Sequence, residues 1–331
     1  MAAAWLVVGI GAFLVGIRSL TAGLERLGGR AVRRSLGRYG QDPALAWLLG
    51  AGAAALLHSS GVVTVAVVSL VEAGAVGFPA AIGAVLGANV GTTATAQLMS
   101  FSTTTLGWLA AVAGGALLAG HRSLFRRVPK AGAAGQALLG VGLVFLGLEA
   151  LGGACGSGIP AWLPGWLSQV ADRPVVGVLA GTVFTGLVQS STLFIGLVMN
   201  LAAQGLLTLT GAIHLVLGGN IGSCLPGLLA GVAAGRAGRW AGLVNLVFNV
   251  AGAAAVLPFV PGLANLVAAT SPSFARQVAN AHALFNLATA AAALPLAWPV
   301  GRWLEKGIAA KAANGKRGPG GAATREAAGR R

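Results

Sequence analysis

Between Asp42 and Arg122 the chain carries one residue of the Asp, Glu, Lys and Arg set, Glu72, and between Arg173 and Arg236 it carries none. A water-soluble domain cannot hide stretches of that length, because its surface needs charge. The chain is 56% hydrophobic and 9% charged, with a mean hydropathy of +0.81. Spans near twenty apolar residues recur, the length at which a helix crosses the hydrocarbon layer. The ten-residue alternation of a transmembrane barrel is missing. The reading is an all-helical integral membrane protein.

A net charge of +15 would suggest nucleic acid if the charge were spread over a surface. Here Lys occurs only at 130, 306, 311 and 316, and most Arg falls in short links or at the end of the chain. Such flanking charge marks cytoplasmic loops beside a lipid bilayer, so no nucleic-acid partner is expected. Residues 305–331 are Gly-rich and basic, and are expected to be a disordered cytoplasmic tail. Cys155 and Cys224 make neither a disulfide framework nor a metal site. The apolar N-terminus lacks a basic leader and is read as a helix rather than a signal peptide.

Residue i laid over residue i+131 aligns the chain with itself without a gap. Gly9, Gly16, Gly50, Ser59, Ser60, Gly74, Gly87, Asn89 and Gly91 meet their own kind at Gly140, Gly147, Gly181, Ser190, Ser191, Gly205, Gly218, Asn220 and Gly222. Apolar composition alone would not align Ser pairs, Asn and Gly together. The chain therefore reads as two repeats, 1–131 and 132–262, then an extra span in 263–304 and the tail. Charge orients them. ERLGGRAVRRSLGR, 25–38, holds five Arg, whereas its counterpart GSGIPAWLPGWLSQ, 156–169, holds no charge. The uncharged STTTLGW at 102–108 matches AAGRAGR at 233–239, with two Arg. By the positive-inside rule the repeats are inverted in the membrane.

Residues 43–100 are too long for one crossing and tight for three. A re-entrant pair of half-helices turning at His58 to Gly61, followed by a crossing interrupted near Gly87 to Thr93, fits the length. Non-helical backbone at that depth needs protein or a watery cavity around it. Two breaks in each inverted repeat predict a central polar cavity of the kind secondary transporters use.

Four polar clusters interrupt the apolar tracts: His58-Ser59-Ser60-Gly61 with Thr64 a turn later, Asn89 with Thr92 and Thr93, Gln189-Ser190-Ser191-Thr192, and Asn220 with Ser223 and Cys224. A lone Ser or Asn in a membrane helix is usually glue to a neighbour. Four clusters at symmetric positions, three of them holding Gly, argue for a site. Hydroxyls and carboxamides can donate to an oxyanion or accept toward a small cation. Exposed N–H groups at a helix break favour anions, and exposed carbonyls favour cations.

The paired LLHSSGVVTVAVVSLVEAG…IGAVLGANVGTT and GLVQSSTLFIGLVMNLAAQG…IHLVLGGNIGSC resemble the type II sodium-dependent phosphate cotransporter family. Each repeat of that family bears a Gln-Ser-Ser-Ser stretch and a Gly-Ala-Asn-x-Gly-Thr-Thr stretch. NAHALFN, 280–286, resembles its His-x-x-Phe-Asn element, and VNLVFN, 244–249, is a variant with Asn245 in the His position. The resemblance implies symport of inorganic phosphate with sodium, the sodium being transported rather than held as a prosthetic group. It further implies a substrate and sodium site where the Ser-rich re-entrant segments meet. His58, Ser59, Ser60, Thr64, Asn89, Thr92, Thr93, Gln189, Ser190, Ser191, Thr192, Asn220 and Ser223 are the expected binding residues, with Asn245, Asn249, His282 and Asn286 in support. The chain departs from the pattern where His58 replaces Gln, Gly61 and Thr192 replace the third Ser, and Gly219, Ser223 and Cys224 alter the second Asn motif.

An imidazole at His58 could carry a proton-linked charge, its ordinary pKa being about 6.5, or stand in as a neutral donor for Gln; the neutral reading is preferred. Arg18, aligned with Glu149, is expected near a span end, reaching toward water. Glu72 is a minor candidate for a cation, and His214 for helix packing. An enzyme is not expected, since the spans bring neither a paired Asp nor a Ser with a relay partner. The expectation is a bacterial inner-membrane phosphate transporter coupled to sodium by alternating access. Another small anion, proton coupling, or a scaffold that keeps the fold without transport are the alternatives. A homodimer and a separate soluble regulatory chain are left open.

Overall fold

The computed structural model describes residues 2–39, 41–101, 104–123, 128–156 and 162–315, and these are helical almost throughout. In chain order the α-helices are α1 (Ala2–Tyr39), α2 (Pro43–Leu57), α3 (Ser60–Glu72), α4 (Phe78–Ser100), α5 (Thr104–Ser123), α6 (Pro129–Gly156), α7 (Trp162–Asp172), α8 (Pro174–Val188), α9 (Ser191–Ala203), α10 (Leu209–Gly222), α11 (Leu225–Ala234), α12 (Arg236–Val256), α13 (Val260–Ala268), α14 (Phe274–Ala293) and α15 (Ala297–Gly315). Among the described residues five helical stretches are long and apolar enough to cross a membrane, or up to seven if each bent pair is one span.

Two short hairpins stand out. The helices α2 and α3 have 15 and 13 residues, as do α8 and α9. At 1.5 Å per residue each is about 20–22 Å long, short of the ~30 Å hydrocarbon layer. Local chemistry sets their ends. Asp42 caps α2, its carboxylate accepting from the Ala44 and Leu45 amides at 2.9 and 3.0 Å, with Pro43 in the first turn. His58 closes α2 and Gln189 closes α8 in the left-handed region, at φ 50° and 55°. The next residues, Ser59 and Ser190, are extended and start α3 and α9, their hydroxyls accepting from Val62 N–H and Leu193 N–H. Gly74 and Gly205, at φ 67° and 71°, turn the chain after α3 and α9, a conformation that costs glycine little.

Glycines decide which helices press together. A Cβ at Gly83, Gly87 or Gly91 would collide with the carbonyls of Pro43, Trp47 or Ala51, so α4 lies parallel to α2, backbone on backbone. Gly218 and Gly222 meet the carbonyls of Val178 and Thr182 in the same way, setting α10 parallel to α8. Along α1, added Cβ atoms at Gly9, Gly16 and Gly23 would fall within 2.9 Å of Leu151, Val144 and Ala137 of α6. The partner number falls as the α1 number rises, so these two helices run antiparallel.

Two expectations need correction. The helix α4 is unbroken through Gly87–Thr93. Its glycines, four residues apart, form one smooth face against α2, and Thr92 and Thr93 bond back to the Ala88 and Val90 carbonyls at 2.9 and 2.7 Å, so no amide is freed. The corresponding break does occur in the second half, at Ser223–Cys224 between α10 and α11, where Pro226 cannot continue the ladder. The tail expected to be disordered from 305 instead continues α15 to Gly315, while 316–331 lie outside the described residues.

Candidate functional site

The hairpin tips converge. Thr192 Oγ1 at the start of α9 donates to the His58 carbonyl at 3.4 Å, joining one tip to the other. Around this contact lies a cavity of about 400 Å³, lined by residues 58–62, residues 188–193, Ser223 and Pro226, and along one side by α1. Ligand sites commonly span ~300–1,000 Å³. Eight of the expected binding residues line it: His58, Ser59, Ser60, Gln189, Ser190, Ser191, Thr192 and Ser223.

Two helix N-termini, those of α3 and α9, reach the cavity wall from different hairpins. First-turn N–H groups carry partial positive charge and suit an anion. The left-handed backbone at His58 and Gln189 ends one half-helix while the next residue begins another, so each turn also leaves carbonyls that could face a cation. His58 Nδ1 shares a hydrogen bond of 2.7 Å with Thr95 Oγ1 of α4, which holds the ring against that helix.

The remaining expected residues lie away from this wall. Thr64 is buried, its methyl against Gly227 of α11. The hydroxyls of Thr92 and Thr93 are engaged by their own helix. Asn89 donates to Asn249 Oδ1 at 3.2 Å, and Asn249 donates in turn to Asn245 Oδ1 at 2.9 Å, clamping α4 to α12. Asn220 donates to Asn286 Oδ1 at 2.6 Å and its own oxygen lies 3.1 Å from His282 Nε2, clamping α10 to α14. These amide pairs are interhelical hydrogen bonds of the kind that hold membrane helices in register.

Four polar residues of the cavity region, Thr21 of α1 among them, were not expected there. Thr95 is the partner of His58, and Arg18 and Glu25 line the cavity from α1. Arg18, expected near a span end and reaching toward water, is exposed and faces this cavity. Positions 14, 17, 18, 21, 22 and 25 recur at helical spacing, opposite the Gly9, Gly16 and Gly23 seam, so the seam itself was the usable signal. Glu72 belongs elsewhere: its carboxylate accepts from Gly238 N–H at 2.7 Å, capping the first turn of α12. His214 packs as expected, Nδ1 lying 2.9 Å from the Ala171 carbonyl.

With this geometry in place, residues 12–153 and 160–294 match the model of the Na+/Pi-cotransporter family. The chain belongs to that family. An uncharacterized protein of Bacillus subtilis (strain 168), YqeW, is 30% identical over 290 residues, covering 86% of this chain and 91% of YqeW. The Salmonella typhimurium (strain LT2) protein named "Putative inorganic phosphate export protein YjbB" is 30% identical over 296 residues, 88% of this chain and 53% of that one. Its Escherichia coli (strain K12) namesake is 30% identical over 293 residues, 87% of this chain and 52% of that one. The chain thus spans about half the length of the YjbB proteins. No solved structure matches it. It is a multi-pass membrane protein of a transporter family rather than an enzyme family.

Proposed function

We propose that this protein moves inorganic phosphate across a bacterial inner membrane with sodium, by alternating access between two inverted repeats, 1–131 and 132–262. The observation that carries the reading is the meeting of two Ser-bearing half-helix tips at one cavity, joined through Thr192 and the His58 carbonyl. Ser59, Ser60, Gln189, Ser190, Ser191, Thr192 and Ser223 supply neutral donors and acceptors there, and His58 acts as a neutral substitute for Gln. Phosphate and sodium bind side by side, each reducing the other's desolvation cost. Thr64, Asn89, Thr92, Thr93 and Asn220 act behind the wall, with Asn245, Asn249, His282 and Asn286 holding the helices that carry the tips.

Two features support inversion. The hairpins have the same bounds at an offset of 131, and α1 packs antiparallel on α6, its counterpart at that offset. The cavity wall on α1 begins at Leu14 and runs toward the Arg-rich end of the helix, and a second cavity of about 250 Å³ continues from Glu25 and Val62 past Arg30 and Arg33. With that end cytoplasmic by the positive-inside rule, the α1 wall of the cavity runs toward the cytoplasmic side. The extra segment 263–304 completes the bundle, and the C-terminal end is cytoplasmic.

Flux of labelled phosphate in proteoliposomes, with and without a sodium gradient, tests the reading. Sodium-stimulated flux is expected, its direction set by the gradients. Equal flux in both conditions removes sodium coupling, and sulfate flux without phosphate flux redirects the substrate.

A further inference from the structure

We propose that Arg18 is the cationic contact for the transported oxyanion. The assignment rests on the phosphate reading above and adds the residue that would neutralise the cargo. Among the described residues lining the cavity, Arg18 is the one Lys or Arg. It stands on the same wall as Thr21 and Glu25 and shares the cavity with both hairpin tips.

Its place in the helix makes the residue unusual. Arg18 lies inside the candidate span Val7–Arg38, roughly 17 Å along the helix axis from Val7. A guanidinium within an apolar span is uncommon and marks a substrate path or a partnered site. Among the described residues Arg18 has no ion-pair or hydrogen-bond partner, and the nearest acid on its face, Glu25, is seven residues and roughly 10 Å further along. Its side chain is exposed, so the guanidinium is available to a charge that enters the cavity. The α3 and α9 N-termini bring partial positive charge to the same space, so the local field selects an anion there. A planar guanidinium offers paired N–H donors that match two oxygens of a tetrahedral oxyanion, a geometry an ammonium cannot copy. Glu25 lines this cavity and also the one that continues past Arg30 and Arg33, whose cations offset its charge there.

The test compares wild type, Arg18→Gln, Arg18→Lys and Arg26→Gln in proteoliposomes, with melting temperature in detergent as the folding control. Arg26 donates to Gln136 Oε1 at 2.9 Å and is not part of the cavity wall, so its variant is the control. The expected result is a phosphate KM raised at least tenfold in Arg18→Gln, a smaller rise in Arg18→Lys, and no change in Arg26→Gln. A folded Arg18→Gln protein with the wild-type KM overturns the assignment. A second measurement needs no variant: phenylglyoxal labelling of wild type, mapped by peptide mass, is expected to slow at Arg18 when phosphate is present. Unchanged labelling with saturating phosphate also overturns it. Wild-type protein that neither binds nor moves phosphate is a different failure, that of the phosphate reading itself.

Discussion

Gly61 stands where the second hairpin has Thr192, so the first tip is short of one hydroxyl. An added Cβ would meet Pro226 at 3.6 Å, an ordinary contact, so the position tolerates a side chain. Gly61→Ser is therefore expected to keep the melting temperature and to lower the phosphate KM about fivefold, the worth of one added hydrogen bond near 1 kcal/mol; a flux titration reads this directly. His58→Gln puts into the left-handed turn the residue that Gln189 already carries in the other hairpin. Its flux is expected to follow the same pH profile as wild type, and a flattened profile would instead assign a proton-linked charge to the ring. The Ser tips were legible because hydroxyls in an apolar tract have few uses. Arg18 was not, because one charge in a long helix does not announce the face it occupies until the glycines opposite it are known to meet α6.

At the scale of elements, both hairpins could be read from Asp42-Pro43, Ser59, Ser190 and the glycines at 74 and 205, each a local ending with its own chemistry. The run from Gly87 to Thr93 misled, since glycine in a membrane helix can mark a break or a close approach. Spacing of four, from Gly83 to Gly91, puts all three on one face and favours approach. Gly87→Val is accordingly expected to drive α4 off Trp47, costing about 1–3 kcal/mol by overpacking and lowering the melting temperature in detergent. Glu72 makes the opposite prediction to a cation ligand. Glu72→Ala is expected to lower the melting temperature by uncapping α12 at Gly238, while leaving the sodium dependence of flux where it was.

For the whole molecule, the prediction concerns sidedness. Single cysteines placed at Arg33 and at Trp166, in a background lacking Cys155 and Cys224, are expected to react with a membrane-impermeant maleimide from opposite faces of oriented vesicles. Labelling of both from one face would remove the inverted arrangement. The long-range pairings, such as Asn89 with Asn249 and Asn220 with Asn286, were not legible as contacts, since an amide in a span says that it needs a partner but not which helix supplies it.

Each half-helix that ends at a tip is fused to the helix behind it, α2 to α4 and α8 to α10, with carbonyl against glycine and no side chain between. Such joints slide poorly and bend as one body. Among the described residues, the side-chain hydrogen bond that joins the two tips is the long one from Thr192 to the His58 carbonyl. The proposed movement is accordingly expected to part the molecule between the tips, where no glycine seam of this kind among the described residues joins the two bodies.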